Sequence, residues 1–294
     1  MEFITFICTP LQHYSVVDAI CTPLQYSFMV KAIIVATVVG TTCAILSCFM
    51  ILKGWSLLGD AISHAVLPGV VIAYIIGIPF SIGAFVFALL SVGIIGFVKT
   101  QTKIKEDAAM GIVFTTLFAL GLILISRTPS SVDLMHILFG YVLGISDEAA
   151  IYTTVTLGFV AITILIFRRT LLAFTFDPIH TQSLGISVKY IHYALLTLLA
   201  LTITASLQTV GVILVIAMLI TPGSTALLLT QNFSKMLMLA VVSSVMSAVG
   251  GAYISYYLDI STGGAIVFLQ GMIFAAVFLY TVINEKRLQS SVAE

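Results

Sequence analysis

Asp60 and His64 stand one helical turn apart inside an otherwise apolar run, Gly59-Asp60-Ala61-Ile62-Ser63-His64-Ala65-Val66-Leu67-Pro68-Gly69. On an α-helix an i, i+4 pair projects in nearly the same direction, roughly 6 Å apart along the axis, so a carboxylate oxygen and an imidazole nitrogen could meet one divalent cation. An ionisable group within hydrocarbon costs about 2.5–3.5 kcal/mol on insertion scales, and such groups usually face a bundle interior or an aqueous path. The plainer alternative is a buried Asp–His hydrogen bond that ties helices together, since polar side chains also act as glue in membrane bundles. Pro68 and Gly69, just beyond the pair, can bend or thin the helix where neighbouring groups re-satisfy its backbone.

Three other places carry residue types that could act. In the connection Ser130-Ser131-Val132-Asp133-Leu134-Met135-His136, Asp133 and His136 stand at i, i+3 and could form a second cation station near an entrance; equally, Ser131 or Asp133 could cap a half-helix. The polar stretch from Asp177 to Ser187, which contains Gln182, Ser183, Leu184 and Gly185, is long enough for a short helix parallel to a membrane, with a glycine where it would stop. Thr221-Pro222-Gly223 interrupts another apolar run and is expected to break or kink it.

The elements that would hold these residues follow from composition. Of 294 residues 60% are hydrophobic and only 8% charged, with a mean hydropathy of +1.19, whereas a soluble domain has about a quarter of its residues charged. The chain reads as an all-α, polytopic membrane protein with about eight or nine transmembrane helices, some of them interrupted. Apolar runs long enough to cross the hydrocarbon are expected at Phe28–Ile51, Ser56–Ile76, Phe80–Val98, Ala108–Ile125, Ala149–Phe167, Ile191–Leu207, Val210–Leu229, Met236–Leu258 and Gly263–Val282. A permease domain would then occupy residues 26–285, between an N-terminal interfacial segment (1–25) and a cytoplasmic tail (286–294).

Lys and Arg choose the orientation. With Lys286 and Arg287 inside, Lys53, Lys99, Lys103, Lys105, Arg168, Arg169, Lys189 and Lys235 also fall inside, which leaves only Lys31 and Arg127 of the 12 basic residues outside. The outer face is then acidic, with Glu2, Asp18, Asp133, Asp147, Glu148 and Asp259. The N-terminal segment has no basic region and no small-residue cleavage pattern, so it does not read as a secretory signal. It holds a tandem duplication instead, Ile7-Cys8-Thr9-Pro10-Leu11-Gln12 recurring as Ile20-Cys21-Thr22-Pro23-Leu24-Gln25. Cys43 and Cys48 read as core packing, and Cys8 and Cys21 could oxidise.

Absences narrow the function. The chain has no Gly-x-x-x-x-Gly-Lys-Ser/Thr phosphate loop, no Cys-x-x-Cys or His-Glu-x-x-His zinc signature and no basic clusters with interleaved aromatics, and its net charge is zero. It should therefore neither hydrolyse ATP alone nor bind nucleic acid.

Taken in order, the Gly59–Gly69 run, the segment from Val132 to Gly140 and Leu219-Ile220-Thr221-Pro222-Gly223 resemble the membrane permeases of bacterial ABC importers for manganese, zinc or iron. The resemblance begins at about Tyr26 and leaves out the duplicated N-terminus. It implies a type II ABC-importer-like fold in the bacterial plasma (inner) membrane. It further implies a pair of permease subunits, here a homodimer, sharing one pathway. The ion would come from an extracytoplasmic metal-binding protein, and two cytoplasmic ATPase subunits would drive transport. By the same resemblance Asp60 and His64 are the metal ligands, Gln182-Ser183-Leu184-Gly185 is the segment that docks on the ATPase, and Pro68, Thr221 and Pro222 mark helix breaks near the pathway.

Two alternatives keep their place beside it. In a proton-coupled secondary carrier Asp60 and His64 would relay protons, although no inverted repeat is visible. A zinc importer of the same family would use the same ligands, which suit Mn²⁺, Fe²⁺ and Zn²⁺ alike. Ser63 and the Pro68-Gly69 ending resemble the manganese and iron branch more than the zinc branch, so manganese, with iron next, is the expected cargo, and no permanently bound cofactor is expected.

Overall fold

The computed structural model describes residues 21–128 and 142–292. Besides a helical turn at 21–24 and a 3-10 turn at Val142–Gly144, twelve α-helices follow one another in these residues: α1 (Ser27–Lys53), α2 (Leu58–Ala65), α3 (Leu67–Ile76), α4 (Phe80–Gln101), α5 (Glu106–Arg127), α6 (Asp147–Ile166), α7 (Arg168–Phe176), α8 (Pro178–Ser183), α9 (Val188–Val210), α10 (Val212–Leu229), α11 (Phe233–Leu258) and α12 (Thr262–Val292). Nine segments among the described residues are long and apolar enough to cross a membrane. They coincide with the nine runs read from hydropathy, with ends shifted by a few residues. α12 continues through Val292, into the tail expected at 286–294.

α1 is the most buried span and α12 one of the least. Around α1 pack α6, α9, α10 and α11; α2 to α5 form a second group, joined to the first through contacts of α9 with α2 and α4 and of α10 with α2. The core between them is built from side chains such as Phe49, Leu46, Ile62, Leu157, Leu199 and Leu214. Helix ends follow local chemistry. Lys53 closes α1, Gly54 adopts φ 74°, and the Trp55 N–H returns to the Met50 carbonyl at 2.9 Å, a left-handed cap that glycine accommodates without strain.

The second span is split at Val66, with Pro68 in the first turn of α3, where a missing N–H costs least. Of the break or kink expected at Thr221-Pro222, a break is not found: α10 is one helix from Val212 to Leu229 with Pro222 inside it. The physical reason lies in α1. Ser47 Oγ donates to the Ile220 carbonyl at 3.3 Å and accepts from the Gly223 N–H at 3.0 Å, so groups beside the proline find partners across the helix pair. That contact requires Gly223, because a Cβ there would come within 2.8 Å of the Ser47 backbone.

α7 was not expected. Its buried residues Leu171, Phe174 and Thr175 have helical spacing, which the preceding Arg168-Arg169 pair masks as an ordinary span end. The N-terminal duplication is described only from Cys21 onward; residues 21–24 are helical and Cys21 is disulfide-bonded, while Cys8 lies outside the described residues. Cys43 and Cys48 are buried free thiols.

Close helix approach is expected to be sensitive to volume. A Cβ on Gly69 of α3 would collide with the Gly83 carbonyl and stand 2.8 Å from Phe87 Cβ, whereas one on Gly158 meets nothing within 4 Å. Gly69→Val should cost about 1–3 kcal/mol by overpacking and lower the melting temperature of the purified permease, while Gly158→Ala leaves it unchanged. Equal melting temperatures for both variants would contradict this account of the α3–α4 contact.

Candidate metal centre

α2 has only eight residues, and almost all of its surface is committed. Leu58, Gly59, Ala61, Ile62, Ser63 and Ala65 are buried. Gly59 lies against α10, where a Cβ would stand 3.1 Å from Leu219 Cδ1, and Ser63 Oγ donates back to the Gly59 carbonyl at 2.8 Å. The two remaining residues of the helix are Asp60 and His64. Their side chains are about a third exposed, 32% and 30%, and His64 Nε2 stands 3.3 Å from Asp60 Oδ1.

That separation suits a shared ion. Two ligands each at about 2.1 Å from a divalent metal, at angles between 90° and tetrahedral, place their donor atoms about 3.0–3.4 Å apart. The same distance also describes a long Asp–His hydrogen bond, so geometry within one chain permits both readings. Among the described residues no group of three or more His, Cys, Asp or Glu side chains comes together. One chain therefore offers an ion two donors at this place, and a fuller set needs another source.

His64 is walled by α5. Its ring lies 5.8 Å from Phe114 and 5.2 Å edge-on from Phe118, centroid to centroid, and Nδ1 is buried without a hydrogen-bond partner. The two phenylalanines were missed in the sequence. Their i, i+4 spacing was readable, but an aromatic pair in an apolar span looks the same whether it faces lipid or a polar neighbour.

The other singled-out residues sit elsewhere. Pro68 follows His64 by one turn and has no N–H to return to the His64 carbonyl. Thr221 and Pro222 lie on α10, just beyond the Leu219 that packs on Gly59. Gln182 and Ser183 end the short helix α8, which begins where Asp177 accepts the His180 N–H at 2.8 Å. Leu184 follows, 60% exposed, and Gly185 takes φ 78°. These four are far along the chain from the Asp60–His64 pair and form a separate surface. Asp133 and His136 lie outside the described residues.

The described ends of the bundle differ in chemistry. At the start of α1, Lys31 pairs with Asp147 and Tyr26 packs on Tyr256 at 6.0 Å. At its far end Lys53, Lys99, Lys189, Trp55 and His192 surround one crevice beside α8.

Comparison with known proteins agrees with this architecture. The model of the ABC 3 transport family matches residues 25–281. The manganese transport system membrane protein MntB of Synechocystis sp. is 54% identical over 249 residues, 85% of this chain and 81% of that protein. The chelated iron transport system membrane protein YfeD of Yersinia pestis is 49% identical over 254 residues, 86% of each. Among solved structures, PsaBC from Streptococcus pneumoniae in complex with Fab matches with a TM-score of 0.81 at 40% identity, covering 90% of this chain and 95% of that chain. A polytopic helical bundle with a split second span, matched over nearly its whole length by such membrane proteins, belongs to the ABC 3 transport family.

Proposed function

We propose that this chain is the membrane permease subunit of an ATP-driven bacterial importer of divalent metal ions, with Mn²⁺ as the cargo and Fe²⁺ next. The observation that carries the reading is the Asp60–His64 pair, 3.3 Å apart on a helix whose other faces are packed. A second copy of the chain would bring its own pair to the same ion, giving two oxygens and two nitrogens. The names of the relatives, manganese for one and chelated iron for another, support the choice of cargo. The chain has no phosphate loop, so separate cytoplasmic ATPase subunits supply the energy and an extracytoplasmic binding protein delivers the ion. The C-terminus and the basic end of the bundle face the cytoplasm.

The site is built for transit. When a metal takes Nε2 of His64, the imidazole proton resides on Nδ1, which has no acceptor among the described residues. An unpaired buried donor costs about 1–3 kcal/mol, and an imidazole without a partner on its second nitrogen is a poorer ligand. The hold on the ion is thereby loosened. Mn²⁺, at the weak end of the first-row affinity order, leaves such a site readily toward water and carboxylate oxygens. Zn²⁺ is held more strongly by the same donors and leaves more slowly. Phe114 and Phe118 shield the imidazole from water on the α5 side, so the ion meets its ligands from the open face of α2. At the other end of the machine, Leu184 presents an apolar contact beside a glycine-terminated helix, and closure of the ATPase pushes there.

Asp60→Asn and His64→Ala should each reduce Mn²⁺ uptake by at least tenfold in cells lacking other importers, with the assembled complex recovered in normal amount. Near-normal uptake in both variants would remove the pair from the pathway. Gly185→Val forces a β-branched residue into φ 78° and should separate ATP hydrolysis from uptake or prevent docking; normal metal-driven turnover would place the contact elsewhere. In reconstituted vesicles Mn²⁺ should turn over faster, with Zn²⁺ competing and inhibiting. Faster saturable Zn²⁺ accumulation, with Mn²⁺ barely moved, would make the protein a zinc importer.

A further inference from the structure

Cys21 is disulfide-bonded and buried. The chain has four cysteines, and two of them, Cys43 and Cys48, are free thiols buried within α1. The one cysteine left to pair with Cys21 inside the chain is Cys8, outside the described residues. The two hold the same place in the two copies of the tandem duplication, Ile7-Cys8-Thr9-Pro10-Leu11-Gln12 and Ile20-Cys21-Thr22-Pro23-Leu24-Gln25. Both precede residue 25, where the match to the family begins, so the feature belongs to this chain's own N-terminal segment.

The chain turns from Cys21 straight into α1. The Tyr26 N–H donates to the Pro23 carbonyl at 3.2 Å, Ser27 opens the helix, Tyr26 packs on Tyr256, and Lys31 pairs with Asp147. This end of the bundle also carries Glu148 in the first turn of α6 and Asp259 at the end of α11, whereas Lys53 closes the opposite end of α1. Disulfides persist in oxidising compartments and are rare in the reducing cytosol, and basic residues gather on the cytoplasmic side of a membrane. A sulfur bond at one end of α1 and an ammonium group at the other, two unrelated chemistries, therefore agree on which end is outside. We propose that Cys8 and Cys21 form an extracytoplasmic disulfide that joins the two copies of the duplication and braces the outer end of α1. As it forms, the two thiols give up two protons and two electrons to the disulfide of an extracytoplasmic protein oxidant, which leaves as two thiols, and one bond joins Sγ of Cys8 to Sγ of Cys21. The outer placement rests on the orientation given under the proposed function; the pairing does not.

Cells making the full chain are quenched with acid and N-ethylmaleimide, and their membranes are digested without reductant. Mass spectrometry should recover the peptides of Cys8 and Cys21 joined, and separate after reduction. In Cys8→Ser, Cys21 should appear instead as its maleimide adduct. Recovery of that adduct from the wild-type chain, or of Cys21 joined to Cys21 of a second copy, overturns the pairing. A membrane-impermeant phosphine applied to intact spheroplasts should break the cross-link. A cross-link that yields to the phosphine only once the spheroplasts are opened overturns the outer placement and the orientation of α1, and leaves the pairing to the digest. Reductant should lower the melting temperature of the purified wild-type chain by roughly 5 °C and leave that of Cys8→Ser unchanged; an equal response of the two chains overturns the brace.

Discussion

Hydrocarbon offers no water to a backbone N–H or C=O, and the arrangement of this bundle depends on how that constraint is met wherever a helix is irregular. Near Pro222 it is met by Ser47, which reaches from α1 to satisfy groups on both sides of the proline. Near Pro68 it is met by ending one helix and starting another, so that the proline occupies a first turn. The two prolines thus have opposite outcomes: one is absorbed into an unbroken span, and the other divides a span and leaves an eight-residue helix that displays Asp60 and His64.

The division matters for the chemistry. A short helix pinned by Gly59 against α10 and by its apolar residues against the core has little freedom to turn its two polar residues away. Their side chains therefore stay together at a spacing suited to one ion. The same packing exposes them on one side only, and the imidazole is screened on the other by Phe114 and Phe118. Nδ1, the second nitrogen of the imidazole, has no hydrogen-bond partner among the described residues.

Much of this was legible in the sequence. The nine spans are long, strongly apolar runs, and their lengths are set by bilayer thickness, so hydropathy alone located them. Asp60 and His64 stood out because polar residues are costly where they sit, and the polar stretch from Asp177 to Ser187 was long enough for the short helix α8, with Gly185 where it stops. What stayed hidden depended on tertiary partners. Whether Pro222 breaks α10 is decided by a serine 175 positions away, give or take a residue or two at its two contacts. The role of Phe114 and Phe118 depends on which face of α5 meets α2. The crevice around Trp55 assembles three lysines that in sequence look like ordinary span ends.

Ser47 has one more effect. Its single hydroxyl serves both the Ile220 carbonyl, which also accepts from Ser224 Oγ at 2.9 Å, and the Gly223 N–H, so sliding α1 along α10 would remove the side-chain acceptor of that N–H. Gly223 removes the side chain that would otherwise hold the two backbones apart. The contact favours one register of the two helices, with Ser47 Oγ between the Ile220 carbonyl and the Gly223 N–H. The α3–α4 hairpin has a close approach of its own at Gly69 and Gly83.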